Sequence, residues 1–175
     1  MVAGRTLVFT VKRLLPLALV IPLAVSTALA ADEGGRFIRK AQMPGTPTMI
    51  VVAEGELEPR SIGSYSIRAY AEADPRSPFD HFVAGVVRPR DGAVEDVRFS
   101  DLDRDGSTDI IVVIRSVGTG GYVSADAFQL RGAALHLLAS VADLPKDADP
   151  VYALEATLAK PAGPRASQNA GKPRR

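Results

Sequence analysis

The sequence contains no cysteine and no tryptophan, and it has only two histidines, His81 and His136. Without cysteine the chain cannot form a disulfide, a thiolate nucleophile, a zinc finger or an iron–sulfur cluster. Two histidines leave little for a histidine-based metal centre, and no Gly-x-Ser-x-Gly nucleophile motif is present. A glycosidase-like pair of carboxylates cannot be picked out among 20 acidic residues. The composition therefore disfavours an enzyme.

The basic residues are concentrated at the two ends of the chain. Of the 21 Lys and Arg residues, three lie within residues 1–13 and five within residues 160–175, where no acid occurs. Residues 31–159 therefore carry 13 basic groups and all 20 acidic groups, a net charge of −7. An acidic body argues against nucleic acid as a partner and favours a basic protein partner, since opposite fields speed encounter.

The N-terminus has the pattern of a secretory signal peptide. The three basic residues precede an apolar stretch at 14–25 and the small-x-small sequence Ala-Leu-Ala at 28–30, which predicts cleavage after Ala30. The alternative is an uncleaved membrane anchor. However, Pro16 and Pro22 interrupt the apolar stretch, and it is shorter than the ~20 residues that a span needs. We therefore expect an exported chain with no stable membrane insertion after cleavage.

Residues 31–159 are predicted to form one folded domain, followed by a disordered basic tail at 160–175. The tail is rich in Pro, Gly, Ala and basic residues and has no aromatic residue. It would either contact an anionic surface or have no role.

Short apolar runs separated by turn residues dominate the body, and they predict an all-β fold. Spacings of ~8–15 residues favour an antiparallel β-sandwich of about eight strands, with at most one short C-terminal helix near 150–158. Exposed strand edges leave a homodimer open. The predicted strands are Phe37–Met43, Thr48–Glu54, Ser64–Ala71, His81–Arg88, Ala93–Phe99, Asp109–Arg115, Tyr122–Leu130 and Ala133–Val141.

Local patterns refine this expectation. Alternation places Tyr65, Ile67 and Ala69 on one face of their strand. The continuous apolar run at 110–114 predicts a central strand buried on both faces. The turn signals at 90–92 and 131–132 predict tight hairpins.

An acidic loop precedes the central strand. Its carboxylates alternate before a glycine, as at the start of a calcium loop, and they are Asp101, Asp103, Asp105 and Asp109. It is not an EF-hand, because position 12 would be Val112 rather than a bidentate Glu. The segment is either a calcium site that braces the loop or an Asp-rich hairpin with Asx-turns.

A glycine-rich segment follows the same strand, at residues 115–124. It lacks the phosphate-binding pattern and no helix follows it, so a nucleotide site is disfavoured. Thr119 and Tyr122 would tip a polar loop suited to recognition, since Tyr supplies contact area at low entropic cost. An ordinary flexible hairpin is the alternative. Residues 60–66 echo the segment, which indicates either two similar loops at one end of the sandwich or a chance similarity between two hairpins.

Three stretches, at residues 51–70, 101–128 and 137–154, and the turn RPRDG at 88–92 together resemble the periplasmic inhibitors of invertebrate-type lysozyme. The resemblance extends over residues 37–158, and its most specific parts are SIGSYS at 61–66 and RSVGTGGYVSA at 115–125. It implies an exported bacterial β-sandwich in the periplasm that is not an enzyme, that needs no cofactor, and that pushes a loop into the substrate cleft of the lysozyme.

The resemblance also implies which residues bind the lysozyme. The family's loop carries a Ser-Gly-x-Tyr motif whose hydroxyls reach the catalytic carboxyls, and Thr119 to Tyr122 match it with Thr in place of Ser. The implied contact residues are Ser116, Gly118, Thr119, Gly120, Gly121 and Tyr122, together with Ser64 and Tyr65 from the echoing segment. Two alternatives of other classes are a calcium-binding β-module with a structural or adhesive role in the cell envelope and a periplasmic hydrolase.

Overall fold

Two four-stranded antiparallel sheets form the body of the protein in a computed structural model that describes residues 35–71 and 76–160. The strands follow chain order within each sheet. The first sheet contains β1 (Ile38–Gln42), β2 (Met49–Glu54), β3 (Ile62–Ala71) and β4 (His81–Asp91). The second contains β5 (Ala93–Ser100), β6 (Asp109–Arg115), β7 (Val123–Arg131) and β8 (Ala134–Leu144), and one helix, α1 (Pro150–Ala159), follows.

This architecture confirms the predicted all-β sandwich with one short C-terminal helix. The predicted signal peptide at 1–30 and the basic tail beyond residue 160 lie outside the described residues. No helix in the described ranges is long and apolar enough to cross a membrane. The outer strands of the two sheets are β1, β4, β5 and β8, and a homodimer through these edges stays a prediction.

Two apolar clusters lie on the two faces of the second sheet. The first fills the space between the sheets, where Ile67 of β3 and Ile110 and Val112 of β6 are all buried. The second lies on the outer face, where Leu154 of α1 is fully buried among residues that include Leu102. The fold thus has three layers, and this explains why β6 is buried on both faces, as its continuous apolar run predicts.

The predicted hairpin at 90–92 is wrong. Strands β4 and β5 belong to different sheets, and only Gly92 lies between them, with φ of +120°. A turn signal shows that the chain reverses but not which sheet receives the next strand. The hairpin at 131–132 is confirmed, since Arg131 pairs with Ala134 and Gly132 has φ of +58°.

The loops lie at two ends of the sandwich. One end, called here the corner end, carries residues 55–61, Gly92 and residues 116–122. The opposite end carries the loop at 101–108, and the hydroxyl of Thr108 donates to the carbonyl oxygen of Pro44 there at 3.4 Å. Seven residues of β6 separate the two ends, which at about 3.3 Å per residue is roughly 20 Å.

Alanine at Gly92 is expected to destabilise the fold by about 3 kcal/mol or more. A Cβ there would lie within 2.9 Å of the carbonyl group of Arg115 and the amide nitrogen of Ser116, in a backbone region that side chains avoid. Gly132→Ala is the matched control, because its φ is also positive but no atom lies within 4 Å of the new Cβ, so about 1–2 kcal/mol is expected. Urea unfolding measures both, and equal losses would contradict the steric reason.

Candidate functional site

The glycine-rich segment forms a short closed loop, Ser116–Tyr122, at the corner end. The Ser116 amide donates to the Tyr122 carbonyl oxygen at 2.9 Å and closes its base. The Gly121 amide donates to the Gly118 carbonyl oxygen at 3.2 Å, and this tight turn leaves Thr119 and Gly120 at the tip. Gly121 has φ of +56°, a conformation that glycine adopts at little cost. The loop is therefore narrow and held by its own backbone.

The ring of Tyr122 folds back over the tip of this loop. A Cβ at Gly120 would lie within 3.0 Å of ring atoms Cδ2, Cε2 and Cζ, so only glycine leaves room for the ring. Tyr122 is 51% exposed, and Thr119 is exposed beside it. Among the described residues, neither hydroxyl has a hydrogen-bond partner. The loop thus presents one aromatic ring and two hydroxyls to a partner.

Arg115 anchors the loop to the rest of the corner end. Its Nη1 donates to the carbonyl oxygens of Gly121 at 2.9 Å and Lys146 at 3.3 Å. Its Nε and Nη2 lie 2.9 Å from the two carboxylate oxygens of Glu95. This bidentate pairing fixes the guanidinium between β5 and the turn before α1. The Arg115 side chain therefore links the loop at Gly121 to Glu95 of β5 and to Lys146.

Arg90 organises the second segment from the interior. Its Nε donates to the carbonyl oxygen of Ser64 at 3.0 Å, and its Nε lies 3.6 Å from the Glu54 carboxylate. The side chains of Arg90 and Glu54 are 0% and 3% exposed. The other carbonyl oxygens that accept from Arg90 belong to Pro59 at 2.9 Å, Arg60 at 2.7 Å and Gly92. The loop at 55–61 is therefore tied to one buried guanidinium.

Ser64 and Tyr65 occupy positions that differ from those of a surface loop. Ser64 is half-buried, and its hydroxyl donates to Glu58 Oε1 at 2.8 Å. The amide and hydroxyl of Ser64 hydrogen-bond the Glu58 carboxylate and lower its pKa. Tyr65 is fully buried, and its hydroxyl donates to Asp126 Oδ2 at 2.5 Å. Burial, together with this hydrogen bond, raises the pKa of Tyr65, which belongs to the core and offers a partner no surface.

The two echoing segments meet at Gly92. Its amide donates to the Ser61 carbonyl oxygen at 2.8 Å, and its Cα packs against the backbone of Arg115 and Ser116. The two segments therefore lie at one end of the sandwich, as predicted, but residues 62–66 belong to strand β3 and not to a second loop. No sequence pattern marks Arg90 and Glu54 as partners, because their role depends on burial. The only signal in the sequence is that Arg90 belongs to the turn pattern at 90–92.

The acidic loop brings together three of its four predicted ligands. One carboxylate oxygen from each of Asp101, Asp103 and Asp109 lies within 4.8 Å of the other two. Asp105 faces elsewhere, with Oδ2 accepting from Gln129 Nε2 at 2.7 Å and lying 3.8 Å from Arg131 Nη2.

Asp109 is the buried member of this acidic loop. It is fully buried, and its Oδ2 accepts from the Leu102 amide at 3.0 Å. Among the described residues, its Oδ1 has no partner. Burial raises the pKa of Asp109 to about 6, with smaller contributions from the carboxylates of Asp103, Asp105 and Asp101.

Comparisons with known proteins place the chain among proteins of one family. The family model described as periplasmic lysozyme inhibitor of I-type lysozyme (PliI) matches residues 35–158. The crystal structure of that inhibitor from Aeromonas hydrophila is 39% identical, with a TM-score of 0.64, over 67% of this chain and 98% of that chain. A second structure is the Aeromonas hydrophila inhibitor in complex with Meretrix lusoria lysozyme. It has the same identity and TM-score, over 68% of this chain and 95% of that chain. The search of curated proteins gave no match.

Removing the buried guanidinium is expected to cost about 3–5 kcal/mol of stability, because Arg90→Met leaves the Glu54 carboxylate buried without its partner. Arg39→Met is the matched control. Arg39 pairs with Asp96 at the surface, where the two side chains are 44% and 34% exposed. Loss of this pair is expected to cost less than about 1 kcal/mol of stability. Urea unfolding measures the loss of stability in both variants. An Arg90→Met loss as small as that of Arg39→Met would contradict the structural importance of the buried ion pair.

Proposed function

Because the chain belongs to the family of periplasmic lysozyme inhibitors of I-type lysozyme, we propose that it inhibits an invertebrate-type lysozyme by inserting the loop Ser116–Tyr122 into the active-site cleft. The observation that carries this mechanism is the closed loop, whose Thr119 and Tyr122 hydroxyls have no hydrogen-bond partner within the part of the chain that the structure describes. A second candidate contact is Ser64, at the same end of the sandwich, although its hydroxyl is already bonded to Glu58. Tyr65 is left out of the proposal because it is buried.

The hydroxyls suit the chemistry of a glycosidase cleft. Such enzymes place one protonated acid and one ionised carboxylate on either side of the scissile bond. A neutral hydroxyl can donate to the ionised carboxylate and accept from the protonated acid, whereas an inserted carboxylate would be repelled. Thr119 and Tyr122 supply two such groups, and the ring of Tyr122 can occupy the space of a sugar. The loop would therefore block the cleft without being a substrate.

The rigidity of the loop lowers the cost of binding. The bond from the Ser116 amide to Tyr122 and the bond from Arg115 to Gly121 hold the loop in one shape before any partner arrives. A loop ordered in advance loses less conformational entropy on binding than a flexible one. The packing of the Tyr122 ring on Gly120 restrains the aromatic contact in the same way.

The charge of the body supports the choice of partner. Residues 31–159 carry a net charge of −7, which would attract a basic lysozyme over several ångströms. Such steering acts mainly on the association rate and weakens as salt screens it. The family's periplasmic location agrees with the predicted signal peptide, whose cleavage after Ala30 is part of the proposal.

The primary test is a Tyr122→Ala substitution. The protein is expressed from its full sequence, purified from the periplasm, and titrated against an invertebrate-type lysozyme while lysis of bacterial cells is followed. The native protein is expected to inhibit near one-to-one stoichiometry, and Tyr122→Ala to weaken inhibition by about 30-fold or more, since it removes the exposed aromatic anchor.

The matched control is Tyr152→Ala, because Tyr152 is 72% exposed on α1 and outside the loop, so full potency is expected. Chicken-type and goose-type lysozymes test selectivity. Full potency of Tyr122→Ala would refute loop insertion while leaving inhibition itself intact. A folded native protein that inhibits no lysozyme would refute the proposed function.

Substitutions at Thr119 separate the hydroxyl from the side-chain shape. Thr119→Val keeps the shape and removes the hydroxyl, so inhibition is expected to weaken by about 10-fold or more through the lost bond to a catalytic carboxyl. Thr119→Ser keeps the hydroxyl and is expected to inhibit at least as well as the native protein. Inhibition constants of the three proteins measure this, and equal potency of the Val variant would show that the hydroxyl makes no contact.

A further inference from the structure

We propose that Asp101, Asp103 and Asp109 bind a calcium ion at the end of the sandwich opposite to the loop Ser116–Tyr122. The two sites lie at opposite ends of β6, roughly 20 Å apart, so this proposal does not depend on the inhibitory mechanism.

The spacing of the carboxylate oxygens fits one ion. Calcium binds oxygen at 2.3–2.6 Å, so two ligands on opposite sides of the ion are about 5 Å apart and neighbouring ligands are closer. The three oxygens from Asp101, Asp103 and Asp109 lie within 4.8 Å of one another. A single ion between them can therefore reach all three without a change of the backbone.

The burial of Asp109 provides the second observation. This residue is 0% exposed, its carboxylate belongs to the cluster with Asp101 and Asp103, and its Oδ1 has no hydrogen-bond partner among the described residues. A buried charge is costly unless it is paired or coordinates a metal. A cation at the cluster would supply the positive partner.

The protein's own cations do not fill this place. In the described ranges, no ion pair involves Asp101, Asp103 or Asp109. Arg131 pairs instead with the neighbouring Asp105, whose Oδ2 lies 3.8 Å from its Nη2. The carboxylate of Asp101 accepts from the amides of Asp105 and Gly106, and these bonds orient it while each oxygen keeps a further lone pair. The loop therefore presents negative charge without neutralising it.

The ligand chemistry selects calcium. All three donors are carboxylate oxygens, which suit hard cations such as Ca²⁺ and Mg²⁺. Mg²⁺ demands near-ideal octahedral geometry and loses water reluctantly, whereas Ca²⁺ accepts six to eight oxygens in flexible arrangements. Water would complete the shell at this exposed loop. Three carboxylates on one loop place the expected affinity in the range of about 10⁻⁴–10⁻³ M typical of extracellular modules.

Binding at this site would brace the outer layer of the fold. The amide of Leu102 donates to Asp109, and the side chain of Leu102 is buried in the cluster that holds Leu154 of α1. An ion that fixes Asp109 therefore also fixes the loop against which the helix packs. Because the ion would bind the folded chain and not the unfolded one, calcium should raise the melting temperature.

The test is thermal unfolding of the protein, purified from the periplasm and treated with EDTA, in 0–10 mM CaCl₂ at constant ionic strength. Calcium is expected to raise the melting temperature by ~5 °C or more at saturation, and MgCl₂ by much less. Asp109→Asn and Asp103→Asn should each abolish the shift. Since Asp103 is exposed, the second variant tests the site even if the first fails to fold.

Asp105→Asn is the matched control within the same loop. Its carboxylate faces Gln129 and Arg131, so this variant should keep the calcium shift. Calorimetric titration should give one calcium per chain for the native protein and for Asp105→Asn. A native protein without a calcium-specific shift would overturn the proposal, as would a shift that survives in Asp103→Asn or disappears in Asp105→Asn.

Discussion

The buried ion pair of Arg90 and Glu54 sets the geometry of the corner end. The guanidinium donates to carbonyl oxygens within the loop at 55–61, to that of Ser64 just after it, and to that of Gly92. The carboxylate accepts from the amide of Val94 at 2.7 Å and from that of Phe37 at 3.3 Å, so it binds the first strand of the second sheet and the start of the first. A buried pair is tolerated only where its donors and acceptors are satisfied, and here the backbone satisfies them. The glycine-rich loop begins beside Gly92, which packs against the backbone of Arg115 and Ser116 and whose carbonyl oxygen accepts from Arg90.

The fold was accessible from the sequence because its signals are local. Two-residue alternation in β3 and the continuous apolar run in β6 both reflect which faces are buried, and the structure has strands at those places. The turn at 90–92 misled because its glycine serves a change of sheet, which depends on contacts with Arg115 that are distant in sequence. The same holds for Arg90, whose charge gives no hint of complete burial.

The candidate site was predictable in part. The glycines and hydroxyls of the loop at 116–122 are visible as a pattern, and the structure gives them a closed shape. Tyr65 shows the limit of a motif echo, because the alternation along β3 already assigns it to the buried face. In the acidic loop, spacing alone predicts Asp105 as a calcium ligand together with Asp101, Asp103 and Asp109, but its carboxylate lies outside their cluster. Its bond to Gln129 comes from β7 and could not be read from the loop.

The junction at Gly92 also bears on how the chain assembles. Each half of the chain is a complete four-stranded meander, and two such halves could in principle be exchanged between copies. Domain swapping needs a hinge that can open into an extended connection. Here the connection is one residue, Gly92, whose amide donates to Ser61 and whose carbonyl oxygen accepts from Arg90. Opening it would expose the buried charge of Arg90, so this junction disfavours exchange of the two halves between copies.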